Sequence, residues 1–120
     1  MLIFLHAGPG MSETGMFRNM NAILEDYYTI VYLDQRGGGK SYSPFMDYKT
    51  MNTEQLTQDI HELTLYLKER FGKEKIVLMG HSFEAGFGAL AAARYPEDYS
   101  AFIGIGQPVN PIENDSLSYK

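Results

Sequence analysis

The stretch KIVLMGHSFEAGFGALAAARYP, residues 75–96, constrains this chain more than any other. Lys75 to Met79 is a short run dominated by apolar, partly β-branched residues, which predicts a buried strand. Gly80-His81-Ser82 predicts a sharp turn. A helix is predicted from about Phe83 to Tyr95, ended by Pro96. Its side facing the strand is unusually small, with Ala85, Gly88 or Ala89, and Ala92 in one stripe. Gly86 and Gly88 each cost about 1 kcal/mol inside a helix. Glycines kept at that cost imply a helix backbone running very close to the strand before it.

The rest of the chain repeats the alternation. Leu2 to Leu5 predicts a buried strand, stopped by His6-Ala7-Gly8-Pro9-Gly10. A weaker helix is predicted over Met16 to Glu25, and a second strand over Thr29 to Leu33, running into the loop Asp34 to Ser41. In the long helix predicted over Thr53 to Phe71, Leu56, Ile60, Leu63 and Leu67 form one apolar stripe. Asn52 with Gln55 three residues on is a capping pair, and Gly72 is a left-handed stop. Ala101 to Ile105 predicts a fourth strand, and the tail from Gly106 to Lys120 allows the start of a further helix. Strands alternating with helices specify an α/β fold with a parallel sheet, about four strands with helices on both faces.

The 120 residues fit one domain, and 44% hydrophobic content supplies a core. The net charge of -5, with no basic stripe, argues against nucleic acid as a partner. There is no cysteine, so no disulfide framework and no thiolate metal site; a cytoplasmic setting is expected. The apolar opening MLIFL is too short for a signal peptide, and no stretch approaches the roughly 18 apolar residues of a membrane span. A buried strand starting at Met1 leads us to expect sequence upstream.

Two readings compete for Ser82. A serine before a helix is a favoured cap. A serine on a tight strand-to-helix turn is also how a catalytic nucleophile is presented, in the pattern G-x-S-x-G. There a strained backbone lifts the hydroxyl above the sheet, and the next N–H, that of Phe83, faces a developing oxyanion. The Gly-rich turn after the first strand is where a second oxyanion donor is found in such folds.

HAGPG, DQRGGGKS, GHSF and YPEDYSAFIGIGQ, in this order, resemble the α/β-hydrolase superfamily, and within it the prolyl-iminopeptidase-like serine hydrolases, whose loops read HGGPG and DQRG. The resemblance covers essentially the whole chain and implies an incomplete α/β-hydrolase core over 1–120. It implies Ser82 as nucleophile and the N–H groups of Gly8 and Phe83 as the oxyanion hole. It further implies His6 as a structural turn residue and Asp34 and Arg36 as braces of the loops near the site. No cofactor and no metal are implied. The expected substrate is a small ester, amide or peptide, with proline peptides favoured by the branch. By family analogy the strand order is second, first, third, fourth, which leaves two open edges for self-association.

The chain also departs from the pattern. Ala7 replaces a glycine in the first loop, and Glu84 replaces the second glycine of G-x-S-x-G. The family order is Ser, then acid, then His, and no histidine follows Ser82. Asp98, Glu113 and Asp115 follow it, each without a histidine to orient. His61 is expected to be solvated, and His81 structural. A Glu84 aimed at the oxyanion, roughly 5 Å away at an effective dielectric near 20, repels it by about 3 kcal/mol. That matches the about 2.7–4 kcal/mol lost with one oxyanion donor, on the order of a hundredfold in rate. Aimed at solvent, Glu84 matters little.

Two other function classes remain. One is a non-catalytic hydrolase-like fragment or binding scaffold. The other is a nucleotide binder, since Gly39-Lys40-Ser41 ends like a phosphate loop. However, Asp34 stands where that loop needs its first glycine, and no helix pattern follows Ser41.

Overall fold

The computed structural model describes residues 1–119. Its strands are β1 (Leu2–Leu5), β2 (Ile30–Leu33), β3 (Ile76–His81) and β4 (Tyr99–Ile105). Its α-helices are α1 (Thr14–Met20), α2 (Thr53–Phe71), α3 (Phe83–Arg94) and α4 (Pro111–Ser118). The strands form one sheet in the order β2-β1-β3-β4, as expected, with every neighbouring pair parallel.

β1 shows why the core has two halves. Successive strand residues point to opposite faces. Leu2 and Phe4 join Phe17 and Met79 on the face covered by α1. Ile3 and Leu5 join Ile60, Leu67, Ile76, Leu78 and Ala91 on the face covered by α2 and α3. α2 has the predicted ends. The Asn52 side chain accepts from the Gln55 N–H at 2.9 Å, and Gly72 closes the helix at φ 59°. Thr57 and Thr64 are buried beside the apolar stripe, because each hydroxyl bonds the carbonyl four residues back within its own helix.

Three expectations are corrected. The helix predicted over Met16–Glu25 is two pieces, α1 and a 3-10 turn at Ala22–Asp26, because Asn21 leaves the helical backbone region at φ -124°. β3 runs on to His81 and β4 begins at Tyr99, so the central pairing is longer than the apolar runs alone indicate. The small-residue contact of α3 runs through Ala85, Gly88 and Ala91. A Cβ on Gly88 would come within 2.9 Å of both Leu5 and Phe102, whereas one on Gly86 would meet nothing nearer than Pro108 at 3.9 Å. Gly86 therefore does not mark a close approach.

The register decides where chemistry can sit. Leu33, Leu5, Gly80 and Gly104 lie side by side across the sheet. The loops after all four strands therefore leave the same edge. The chain moves outward from β1 to β2, then returns to the other side of β1 for β3. The loops after β1 and β3 thus diverge at a topological switch point, where open α/β sheets bind ligands.

Candidate active site

Ser82 occupies that switch point. It is the one non-glycine residue with positive φ among the described residues, at φ 51° and ψ -119°. Such a conformation costs of order 1–3 kcal/mol and persists only where the surroundings enforce it. Here they do. The Ser82 N–H donates to the Ile105 carbonyl at 2.7 Å, and the Ser82 carbonyl accepts from the Ala85 N–H at 3.1 Å. A Cβ on Gly80 would lie 2.6 Å from Cα of Ala85, so strand and helix meet with no room for a side chain. The Ser82 side chain makes no capping hydrogen bond, which removes the cap as its reason for being there. Phe83 opens α3, so its N–H has no acceptor within the helix.

The loop after β1 is tied down by buried side chains. His6 is 2% exposed; its Nε2 accepts from the Gln35 N–H at 3.1 Å. Its Nδ1 therefore carries the proton and donates to the Ala7 carbonyl. The Ala7 N–H donates to Glu13 Oε2 at 2.8 Å, and the Gly10 N–H to Gln35 Oε1 at 3.2 Å. Pro9 has no N–H. Of the amides from Ala7 to Gly10, that of Gly8 alone has no acceptor among the described residues. A Cβ on Gly38 would lie 2.8 Å from the Gly10 carbonyl oxygen, so the loop after β2 packs backbone to backbone against this one. Asp34 holds that second loop by accepting from the Lys40 N–H at 2.9 Å. A carboxylate thus fills the place a phosphate would need, which disposes of the phosphate-loop resemblance. Arg36 reaches α2, donating through Nε to Asp59 Oδ2 at 2.6 Å.

Glu13 escaped the sequence reading. An acidic residue just before a helix is ordinarily explained by the helix dipole. Its side chain caps nothing. It is 4% exposed, and Oε2 meets both the Ala7 N–H and, at 2.9 Å, His81 Nδ1. Burial works against its charge, but the Ala7 N–H and His81 outweigh burial and hold the carboxyl below the usual range. A cavity of about 260 Å³ opens beside this pair, walled by Met16, Phe17, Met20 and Ile105. A surface cavity of about 530 Å³ around Arg18, Glu25 and Tyr28 contains no residue of these loops.

Two residues differ from expectation. Glu84 faces neither solvent nor open space. It is 2% exposed, no hydrogen bond or ion pair engages its carboxyl among the described residues, and burial, then the charge of Asp59, pushes it up to about 7. Asp59 of α2 is the charged group that acts on it. His61 is not solvated: its ring stacks on Tyr95 at 3.5 Å and 6°, with Nδ1 3.2 Å from Asp98 Oδ2. Asp98 therefore does have a histidine beside it, as well as Lys68. This pair cannot serve Ser82. The Asp98 carbonyl bonds the Ile76 N–H at the start of β3, and Ser82 lies six residues further along, about 20 Å at roughly 3.3 Å per residue. Glu113 and Asp115 lie exposed in α4. No helix is long and apolar enough to cross a membrane among the described residues.

The family described as alpha/beta hydrolase fold matches residues 1–119.

The chain belongs to the α/β-hydrolase fold family.

Among the chain's relatives, a probable aminopeptidase of Bacillus subtilis is 35% identical over 120 residues, all of this chain and 38% of that protein. A proline iminopeptidase of Thermoplasma volcanium is 35% identical over 102 residues, 85% of this chain and 31% of its own length. The crystal structure of a proline iminopeptidase-related protein from Thermus thermophilus superposes with a TM-score of 0.69 at 31% identity, covering 91% of this chain and 37% of the other. The chain thus spans well under half the length of the relatives it matches, and it is similar to the proline-iminopeptidase-like branch.

Proposed function

We propose that residues 1–120 are a partial α/β-hydrolase core carrying the nucleophile and oxyanion hole of a serine hydrolase acting on a small amide, peptide or ester. The observation that carries this is Ser82 at φ 51° with no capping bond. Strain without a structural return is what a presented nucleophile requires. Ser82 Oγ bonds to the substrate carbonyl carbon, and its proton passes to a base. The negative oxygen is met by the N–H groups of Gly8 and Phe83. The bond to the leaving group then breaks, the base gives the proton to that group, and water releases the acyl group from Ser82. Neither metal nor cofactor has a part in these steps. The relatives' names favour an amine leaving group, as in an aminopeptidase of the proline iminopeptidase type; an ester is handled by the same atoms. A cytoplasmic setting fits the cysteine-free sequence.

The second reading is an inactive hydrolase-like scaffold. It is favoured by the placement of the histidines. His6 holds a loop, His61 sits at the opposite end of the sheet, and the His81 ring is turned to Glu13. None forms a hydrogen bond with Ser82 Oγ among the described residues, so the base is a group these residues do not present.

A fluorophosphonate probe separates the two. Label on Ser82, located by mass spectrometry and absent from Ser82→Ala, is the expected result. A chain that is folded by circular dichroism yet takes no label would mean the scaffold reading is correct.

A further inference from the structure

We propose that Glu13 is a positioning residue, whose buried carboxylate ties the loop carrying Gly8 to the turn carrying Ser82 and Phe83. The inference rests on the nucleophile reading above.

An oxyanion hole works only if both donors reach one point, about 2.7–3.1 Å from each. Here the two donors belong to different loops, after β1 and after β3. Pairing between β1 and β3 fixes those loops against each other only up to Leu5 and Gly80. Beyond that register the polar side-chain link between them, among the described residues, runs through one atom. Glu13 Oε2 accepts the Ala7 N–H at 2.8 Å and meets His81 Nδ1 at 2.9 Å. Ala7 precedes Gly8, and His81 precedes Ser82. Glu13 touches neither donor, so its effect is on where they stand. The carboxylate is 4% exposed, which limits competition from water for these bonds. By engaging the Ala7 N–H it also leaves Gly8 as the open amide of the loop.

The test compares wild type, Glu13→Ala and Glu13→Gln. Folding of each is checked by circular dichroism, and hydrogen exchange is followed at the Ala7 amide by NMR. Glu13→Ala is expected to exchange at Ala7 about tenfold faster or more, the scale of one lost hydrogen bond. Exchange in β4 should not change. The rate of fluorophosphonate attachment to Ser82 should fall about a hundredfold, as for an ångström of misplacement. Glu13→Gln keeps a carbonyl oxygen for Ala7 and should restore most of both. Unchanged exchange at Ala7 in Glu13→Ala overturns the tie itself. Altered exchange with an unchanged labelling rate overturns the positioning role. A folded wild type that protects Ala7 but takes no label at Ser82 overturns the nucleophile reading, and the positioning role with it.

Discussion

The Glu84 carboxyl is pushed to about 7 because burial removes its hydration and Asp59 adds a like charge. An unfolded chain would hold the same group at its ordinary 4.5. The folded form therefore binds the proton more tightly, and folding loses stability as pH rises from 4.5 through 7. Holding the carboxyl at about 7 instead of 4.5 withdraws about 3 kcal/mol at alkaline pH. Arg36 does not relieve this, because its guanidinium is engaged by Asp59. Glu84→Gln should therefore be more stable than wild type at pH 8, by about 3 kcal/mol at most, and near parity at pH 4. Urea melts of both proteins at the two pH values would measure it. A difference that does not grow with pH would show that Glu84 is not buried as a charge. Burial also means that Glu84 is not aimed at solvent, the arrangement in which its charge would matter little.

Among the elements, α3 is the one whose position creates the site, and its glycines are not equivalent. Gly80 faces the backbone of Ala85 at 2.6 Å, which cannot move aside without moving the turn. A Cβ on Gly86 would make only an ordinary contact, with Pro108 at 3.9 Å. Gly80→Ala should destabilise the fold by about 1–3 kcal/mol, the usual range for overpacking, and should abolish label at Ser82. Gly86→Ala should stabilise it by about 0.8–1.0 kcal/mol, the propensity gain in a helix interior. Thermal melts of the two variants read the contrast directly. A stabilising Gly80→Ala would mean that strand and helix do not meet as described.

For the whole molecule, the open question is its two edges. β2 and β4 each pair on one side only. β4 reads YSAFIGI, without a charged residue or a proline, and Ile103 and Ile105 are each 41% exposed. An uncharged edge of free N–H and C=O groups is a template for another strand. The chain is expected to self-associate, with a sedimentation coefficient that rises with concentration. Ile103→Lys should weaken that rise, since a charge on an edge strand opposes pairing. A wild-type monomer at high concentration would argue that the edge is protected in some other way.

The alternation of apolar runs with helical stripes was enough to specify a parallel α/β sheet. The Asn52 and Gly72 signals marked the ends of α2, because local hydrogen bonding and backbone sterics act within a few residues. The Gly-rich loops and GHSF, through their resemblance to the α/β-hydrolase pattern, implied Ser82, Gly8 and Phe83 as one site. Burial could not be read the same way, because it is a property of what packs from elsewhere in the chain. Glu84 is buried, the His61 ring is covered by Tyr95, the residue that follows α3, and Glu13 meets a histidine 68 positions away. The helix predicted over Met16–Glu25 broke at Asn21 although its apolar spacing continued. Pattern within a segment decided which elements form. Contact between segments decided which charged groups are buried and which amides stay free.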